Sequence, residues 1–314
     1  MRLSMIVNPL TDENLQLAAQ VGVSELVVVY PGPGLEPLQN LRRRAESFGL
    51  RLTHIERKVP HDQIVHGLSG RDAQVEGFKN LIRNMGEAGL EVLCYNWMPS
   101  EDWSRTTCEA PERGRSLATA FDVRAGGGNV TDADGRPEVP TSADSLWGNL
   151  ERFLEEVVPV AAASGIKLAL HPDDPPLPSL WGQPQIITGH AALERVVDLV
   201  PSEANGICYC TGSLGPTGED LVAGIRRLGK HIHFAHVRNV RGTPEQFHET
   251  WHDNGALDLF SVVQALHEIG FEGTLRPDHA PSMAGETNET PGYEMKGKLF
   301  AAGYLRGLMQ AAAS

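Results

Sequence analysis

The chain has 314 residues, more than the roughly 100–200 typical of one domain, so two ordinary domains or one large barrel or sheet are open. With 41% hydrophobic and 21% charged residues the composition is that of a globular protein, which excludes a disordered chain, a coiled coil and a disulfide miniature. Lys plus Arg number 27 against 40 Asp plus Glu, a net charge of −13 with no basic run to offset it, so nucleic acid and an anionic membrane surface are not expected partners.

Short β-rich apolar runs alternate with segments of helical spacing along the whole chain. The runs occupy 3–7, 25–29, 51–56, 92–95, 167–170, 206–209, 232–235 and 273–275. The opening MRLSMIVNPLTDENL turns polar too soon for the h-region of a signal peptide. No later stretch approaches the roughly 20 apolar residues of a membrane span, so a cytoplasmic protein is expected. After the third run, Val75, Phe78, Leu81, Ile82 and Met85 recur at three- and four-residue steps and predict a helix over 72–88, stopped by Gly89. Eight βα pairs imply a parallel sheet, and eight is the number that closes a (β/α)8 TIM barrel of roughly 250 residues. An open doubly wound sheet is the second choice. Most of the excess length falls at 97–140, between the fourth strand and a helix beginning near Ser142. Its AGGGN, DADGRP and EVPTS strings read as an insertion loop over the C-terminal face of a single barrel domain spanning 1–314. A lid, a substrate clamp and a subunit contact all suit it, and its Gly-rich middle equally suits an unstructured surface loop. Four cysteines, Cys94, Cys108, Cys208 and Cys210, are too few for a disulfide framework and leave thiols free to pack or to bind metal.

Barrels of this kind build their active sites at the C-terminal ends of strands. KLAL runs into His171, with Asp173 and Asp174 close behind; GICY runs into Cys210; IHFA runs into His236, then Arg238 and Asn239; GTLRP runs into Asp278 and His279. Two imidazoles, a thiol and a carboxylate thus stand at one height on four neighbouring strands about 4.8 Å apart, within reach of one cation. Each alone has a plainer reading. A lone strand-end cysteine is more often a small buried hydrophobe, the role assigned to Cys208, about 7 Å down the strand from Cys210. A lone histidine is more often a hydrogen-bonded structural group, as read for His190, His231 and His267, and Asp278 also suits a helix cap or turn. The coincidence of four favours a metal site. Thiolate and imidazole favour zinc or ferrous iron, whereas the carboxylate and a polar pocket favour manganese or magnesium, and the donors leave that choice open. Because Asp278 and His279 are consecutive, both face inward only if the strand ends before them.

At these residues the chain resembles the mannonate dehydratase family of hexuronate degradation. The resemblance rests on LHPDDPP from Leu170, CTGSLG from Cys210, HFAHVRN from His233, FHET from Phe247, RPDH from Arg276, PGY ending at Tyr293, and GYLRGL near the C-terminus. Upstream, GRDAQVEGFKNLIRNMGEAGLEVLCYNWMP and DWSRT are similar to the family's segment around the fourth strand. The resemblance implies a xylose isomerase-like TIM barrel and a lyase that dehydrates D-mannonate, or a related aldonate, to 2-keto-3-deoxy-D-gluconate and water. It further implies bound Mn²⁺, with Fe²⁺ or another divalent ion as substitutes, a small-molecule sugar acid as partner, and a homo-oligomer, expected as a dimer. Carried over by position, the metal ligands fall on His171, Cys210, His236 and Asp278, and a paired catalytic His and Tyr on His279 and Tyr293. The chain departs from the family at Ala280, where a Gly is usual, at its MIVNPLTDEN start, at VPHDQIV, where His61 stands for the His of a VHED-like stretch, and at TTCEAPERGRSLATAFD after DWSRT.

Dehydrating an aldonate takes a proton from the carbon beside the carboxylate and a hydroxyl from the next, so charge builds on the carboxylate oxygens. A divalent ion is suited to hold that charge. Arg238, Asn239, Asn96 and Arg105 are substrate-binding candidates around it, although for Asn239 and Arg105 a surface salt bridge or turn hydrogen bond is an equal expectation. His279 and Tyr293 supply the two proton transfers, in an order the residues leave open. Two readings compete. One is a sugar isomerase or epimerase of the same metal-barrel type, which usually holds its ion without a thiolate, so Cys210 speaks against it. The other is a catalytically silent sugar-acid binder, against which the presence of both His279 and Tyr293 weighs.

Overall fold

Every apolar run marked in the sequence becomes a strand, with ends moved by one or two residues, because each is buried along nearly its whole length, as the strands of a parallel sheet are. The computed structural model describes residues 1–100, 102–125, 128–130 and 139–314. In chain order the first half contains β1 (Arg2–Ile6), α1 (Asp12–Gln20), β2 (Glu25–Val28), α2 (Glu36–Ser47), β3 (Arg51–Glu56), α3 (Asp62–His66), α4 (Arg71–Glu87), β4 (Val92–Tyr95), β5 (Thr107–Pro111), β6 (Leu117–Asp122) and α5 (Ala143–Ser164). The second half contains β7 (Lys167–Leu170), β8 (Ser179–Leu180), β9 (Gln183–Pro184), α6 (His190–Leu199), β10 (Asn205–Cys210), α7 (Thr211–Leu214), α8 (Leu221–Leu228), β11 (Ile232–Val237), β12 (Asn239–Thr243), β13 (Gln246–Thr250), α9 (Leu259–Glu268), β14 (Thr274–Pro277) and α10 (Met295–Ala312).

The order β1-β14-β11-β10-β7-β4-β3-β2 closes on itself, with parallel pairing throughout, so the chain is a (β/α)8 barrel and the open doubly wound sheet is excluded. The helix expected over 72–88 is α4, and Gly89 follows its end at φ +74°, the left-handed conformation that glycine adopts without Cβ strain. The helix expected near Ser142 is α5, whose first turn is capped by the Ser142 hydroxyl accepting from the backbone N–H of Ser145. The apolar faces of these two helices meet the barrel through Phe78, Tyr95, Trp97 and Phe153, with Phe78 and Phe153 edge to face at 4.9 Å. Burying each such ring contributes about 1.5–3 kcal/mol. Among the described residues no helix is long and apolar enough to cross a membrane.

The insertion is where the structure departs most from the sequence reading. Its described part is not a simple loop: β5 and β6 form a hairpin that continues antiparallel into β13 and β12, an order of β12-β13-β6-β5. Strand β11 is therefore followed by the hairpin β12–β13 before its helix arrives. Phe121 and Phe247 are register partners and stack at 5.9 Å over Met98, Leu177, Leu180 and Val240, giving the sheet a small core of its own. Gly126, Gly127 and residues 131–138, on which the loop reading of AGGGN and DADGRP rested, lie outside the described residues.

Candidate active site

Parallel register sets the height of the candidate ligands. Cys210, the last residue of β10, is the register partner of His236 on β11, and His236 is the partner of Arg276 on β14. His171 follows β7 directly, its backbone N–H donating to the carbonyl of Tyr95 at 2.7 Å. The ligand atoms of His171, Cys210 and His236 all lie within 4.8 Å of one another. Asp278 completes the ring, with Oδ2 at 3.6 Å from the Cys210 Sγ and Oδ1 at 3.9 Å from the His236 Nδ1. The His171 Nδ1 lies 2.6 Å from the Pro172 carbonyl, which only accepts; Nδ1 therefore donates and Nε2 keeps its lone pair. Burial opposes charge on Asp278, but His279, Arg238 and Arg276 outweigh it and hold the carboxyl well below the usual carboxylate range. Two imidazoles, a thiol and an ionised carboxylate on rigid strand ends fit a divalent cation with open positions for substrate.

Strand β14 ends at Pro277, so Asp278 and His279 are both free of the pleat and both border one cavity of about 510 Å³, as their adjacency required. The His279 Nδ1 lies 2.7 Å from the Glu249 Oε1 and so donates to it, which leaves the Nε2 lone pair facing the Tyr293 hydroxyl at 3.1 Å. Burial lowers the His279 imidazole against the pull of Glu249 and pushes the Tyr293 phenol up to about 12. Near neutral pH the pair is thus a neutral imidazole beside an intact phenol. The Trp103 ring lies 4.2 Å from the His279 ring and meets Tyr293 edge on. Tyr293 arrives on the expected return loop: the Ala280 N–H donates to the carbonyl of Gly292 at 3.1 Å, and a Cβ on Gly292 would come within 3.0 Å of the His279 side chain.

The substrate-binding candidates divide. Arg238 and Asn96 border the cavity, Asn96 donating to the Asp102 Oδ1 at 2.9 Å. Asn239 and Arg105 do not border it, because their polar atoms are spent on structure. Asn239 donates to the carbonyls of His252 and Leu257 and accepts from the N–H groups of Val240 and Leu257, pinning the β12–β13 hairpin. Arg105, fully buried, forks onto both oxygens of Asp174 at 2.9 Å and reaches Glu249 at 2.5 Å, so it supports the site from behind. His61 borders the cavity with both ring nitrogens on backbone carbonyls, of Val59 and Asn96. Cys208 is buried as expected, and His190 has the structural role expected of it, bonding the Tyr209 hydroxyl at 2.8 Å.

Several residues escaped the sequence reading. Arg276 bridges Glu56 at 3.0 Å and Asp278 at 2.7 Å, and both partners border the cavity. Its place at the C-terminal end of the eighth barrel strand was a usable signal, since such ends line the site. Glu249 had no positional signal, because the β13 hairpin that carries it went unseen; only its place in the FHET string of the resemblance pointed to it. Arg57 and Lys58 also border the cavity, at φ 68° and 59°. Successive non-glycine residues in the left-handed region cost about 1–2 kcal/mol each and cluster where backbone is held for function. The Arg57 guanidinium lies over the rings of Trp103 and Tyr293 at 5.8 and 5.3 Å, with Asp102 at 3.7 Å.

The sequence model of the family described as D-mannonate dehydratase (UxuA) matches residues 15–135 and 138–314. A mannonate dehydratase of Thermotoga petrophila is 39% identical over 310 residues, covering 88% of this chain and 86% of its own. One of Streptococcus suis is 35% identical over 333 residues, covering 97% and 91%. The crystal structure of mannonate dehydratase from Streptococcus suis serotype 2 superposes with a TM-score of 0.89 at 35% identity, over 99% of this chain and 93% of that one. An L-ribulose 3-epimerase structure, at 16% identity and a TM-score of 0.63 over 99% and 95% of the two chains, shares the fold.

Proposed function

The chain belongs to the D-mannonate dehydratase family, and from that premise we propose that it is a hydro-lyase converting D-mannonate to 2-keto-3-deoxy-D-gluconate and water. The observation that carries the reading is the pairing of His279 Nε2 with the Tyr293 hydroxyl at 3.1 Å, on the wall of a cavity that also exposes His171, His236 and Asp278. Two proton-handling atoms this close suit a reaction whose proton and hydroxyl leave from adjacent carbons. His171, Cys210, His236 and Asp278 would hold a divalent cation, Mn²⁺ by family resemblance. Bound there, the ion supplies Lewis-acid stabilisation of charge on the substrate carboxylate. Glu249 holds the His279 Nδ1–H, so Nε2 is the base that takes the carbon-bound proton. Tyr293 keeps its proton at neutral pH and delivers it to the departing hydroxyl. Trp103, reaching in from the segment after β4, excludes water above this pair, which makes the 97–140 insertion a substrate clamp. Arg238 and Asn96 face the sugar acid, and Arg57 stands at the pocket edge as a cation for an anionic ligand.

An isomerase or epimerase reading rests on fold likeness alone, and a silent binder has no need of an oriented Glu249–His279–Tyr293 array. As in the sequence reading, the protein is taken as a cytoplasmic homodimer of a single barrel domain. The deciding experiment incubates the purified manganese-loaded protein with D-mannonate and follows 2-keto-acid formation, with D-fructuronate and other aldonates as controls. Keto acid from D-mannonate is expected; none from any aldonate overturns the reading.

A further inference from the structure

Beneath the four proposed ligands lies a second set of metal donors, which shares His236 with them and adds two thiols that the dehydration does not use. Cys94 on β4, Cys208 on β10 and His236 on β11 are buried, and their two sulfurs and a ring nitrogen all lie within 4.8 Å of one another. The topology explains the meeting. Strands β4 and β10 flank β7, and the residue in register with Cys94 on β7 is Ala169, too small to come between the thiols. Cys208 sits two residues below Cys210, so its side chain shares the inward face about 7 Å further down. Ile6, Val27, Val92 and Phe234 pack around the pair in one apolar cluster, with Glu56 and Arg276 within electrostatic reach of Cys94. The set is reachable, because Cys94 and His236 both border the active-site cavity.

The two sites differ in chemical hardness. The upper one mixes a thiol with imidazoles and a carboxylate; the lower one offers two sulfurs and a nitrogen and no oxygen, the donor set that selects thiophilic ions. Tetrahedral zinc, at about 2.3 Å to sulfur and about 2.0 Å to nitrogen, holds its donors roughly 3.5–3.8 Å apart, inside the 4.8 Å that encloses these three atoms. We propose that Cys94, Cys208 and His236 form a second, soft-cation site that takes a d¹⁰ ion such as zinc, cadmium or cuprous copper, and that its occupation expels the catalytic divalent cation because both sites need His236. Only the expulsion rests on the proposed function; the sulfur-rich site stands on its own geometry.

The test titrates the full-length manganese-loaded protein with Cd²⁺. X-ray absorption at the cadmium edge counts sulfur neighbours, and the electron paramagnetic resonance signal of free Mn²⁺ reports expulsion. Two sulfurs per bound cadmium, with manganese released in step, are expected. Cys94→Ala and Cys208→Ala are each expected to lose one sulfur from that count, whereas Cys210→Ala leaves it intact. One sulfur or none around cadmium in the unaltered protein overturns the site, since cadmium has then entered the upper ligands through Cys210 or bound elsewhere. Two sulfurs with manganese retained overturn the sharing of His236. Neither readout depends on turnover of D-mannonate, so failure of the dehydratase reading is distinguishable from failure of this one.

Discussion

The two ends of the barrel carry the same ingredients, arginines laced with carboxylates, and use them in opposite ways. At the N-terminal end, Arg2 and Arg51 bracket Glu91 at 2.6 and 2.5 Å and share Glu25 at 3.2 Å, and the Arg51 side chain is 57% exposed. At the C-terminal end, Arg105, Arg238 and Arg276 interlock with Asp174, Glu249, Glu56 and Asp278, no side chain more than 6% exposed. Water screens the lower set, where an exposed pair is worth about 0–1 kcal/mol. The upper set bears the desolvation of every charge, which Coulomb attraction only roughly offsets. A barrel needing stability alone would fill that space with hydrophobic side chains. The buried charges therefore mark the end of the barrel where a fixed field and fixed geometry matter.

The sharpest way to break this contrast is at the proton-handling pair. His279→Ala is expected to lower turnover by about 10²–10⁴-fold while metal content stays at the unaltered level, whereas Cys210→Ala loses metal. Keto-acid formation alongside elemental analysis checks both, and equal metal loss in the two variants would show the roles to be misassigned. Next in size is a pair of stability measurements. Arg105→Met removes one of the buried cationic partners of Asp174 and Glu249, leaving both to Arg238, and is expected to cost about 3–5 kcal/mol in urea unfolding. Arg51→Met at the other end is expected to cost about 0–1 kcal/mol. Similar losses at the two ends would erase the distinction.

The same contrast explains what was legible in the sequence. Barrel strands announce themselves by apolar runs, and residues at or just past a strand's C-terminal end have a known location in such a fold, so His171, Cys210, His236 and Asp278 were singled out from position alone, with the family resemblance agreeing. Glu56 and Arg276 obey the same rule and were within reach of it. Glu249 was not, because β13 is short and recognisable only by its pairing with β12 and β6. Arg105 and Asn239 were left between substrate binding and structure for a related reason: sequence shows a donor but not its acceptor, and here the acceptors are Asp174, Glu249 and the hairpin carbonyls, all distant or irregular in sequence. The antiparallel sheet went unseen because its strands come from two distant segments, β5 and β6 ahead of the Gly, Pro and Asp strings that read as a loop, and β12 and β13 after β11.

Between the two ends, buried histidines give the fold a pH dependence with its own window. Burial lowers His54 to about 3 and His233 and His252 to about 4. An exposed imidazole titrates at about 6.5, so between these values the unfolded chain binds more protons than the folded one, and stability rises with pH. It is whole above about pH 6.5 and drains as pH falls toward about 4, by roughly 3 kcal/mol per histidine. The carboxylates of Glu56 and Glu249, held low by Arg276, Arg105 and neighbouring imidazoles, lose their contribution only below about pH 4.3, where unfolded carboxylates protonate. Urea unfolding of the metal-free protein across pH 4–7 separates the two windows; a flat profile from pH 6.5 to 4.5 would show the histidines to be solvated.

The smallest effect is expected where the upper network meets the cavity edge. Arg57 differs from Arg105, Arg238 and Arg276 in its placement: its side chain is 19% exposed against their 1% or less, and it stands on a left-handed stretch of backbone beside the cavity with Asp102 alongside at 3.7 Å. A guanidinium there attracts an anionic substrate without touching the carbons that react. Its attraction is then the same in the bound substrate and in the transition state, and such uniform binding appears in KM and leaves kcat alone. Arg57→Met, which keeps most of the aromatic packing, is expected to raise KM about tenfold, or about 1.4 kcal/mol, with kcat nearly unchanged and the effect shrinking at high salt. A fall in kcat at constant KM would instead place Arg57 on the reacting atoms, joining it to the buried arginines from which its position separates it.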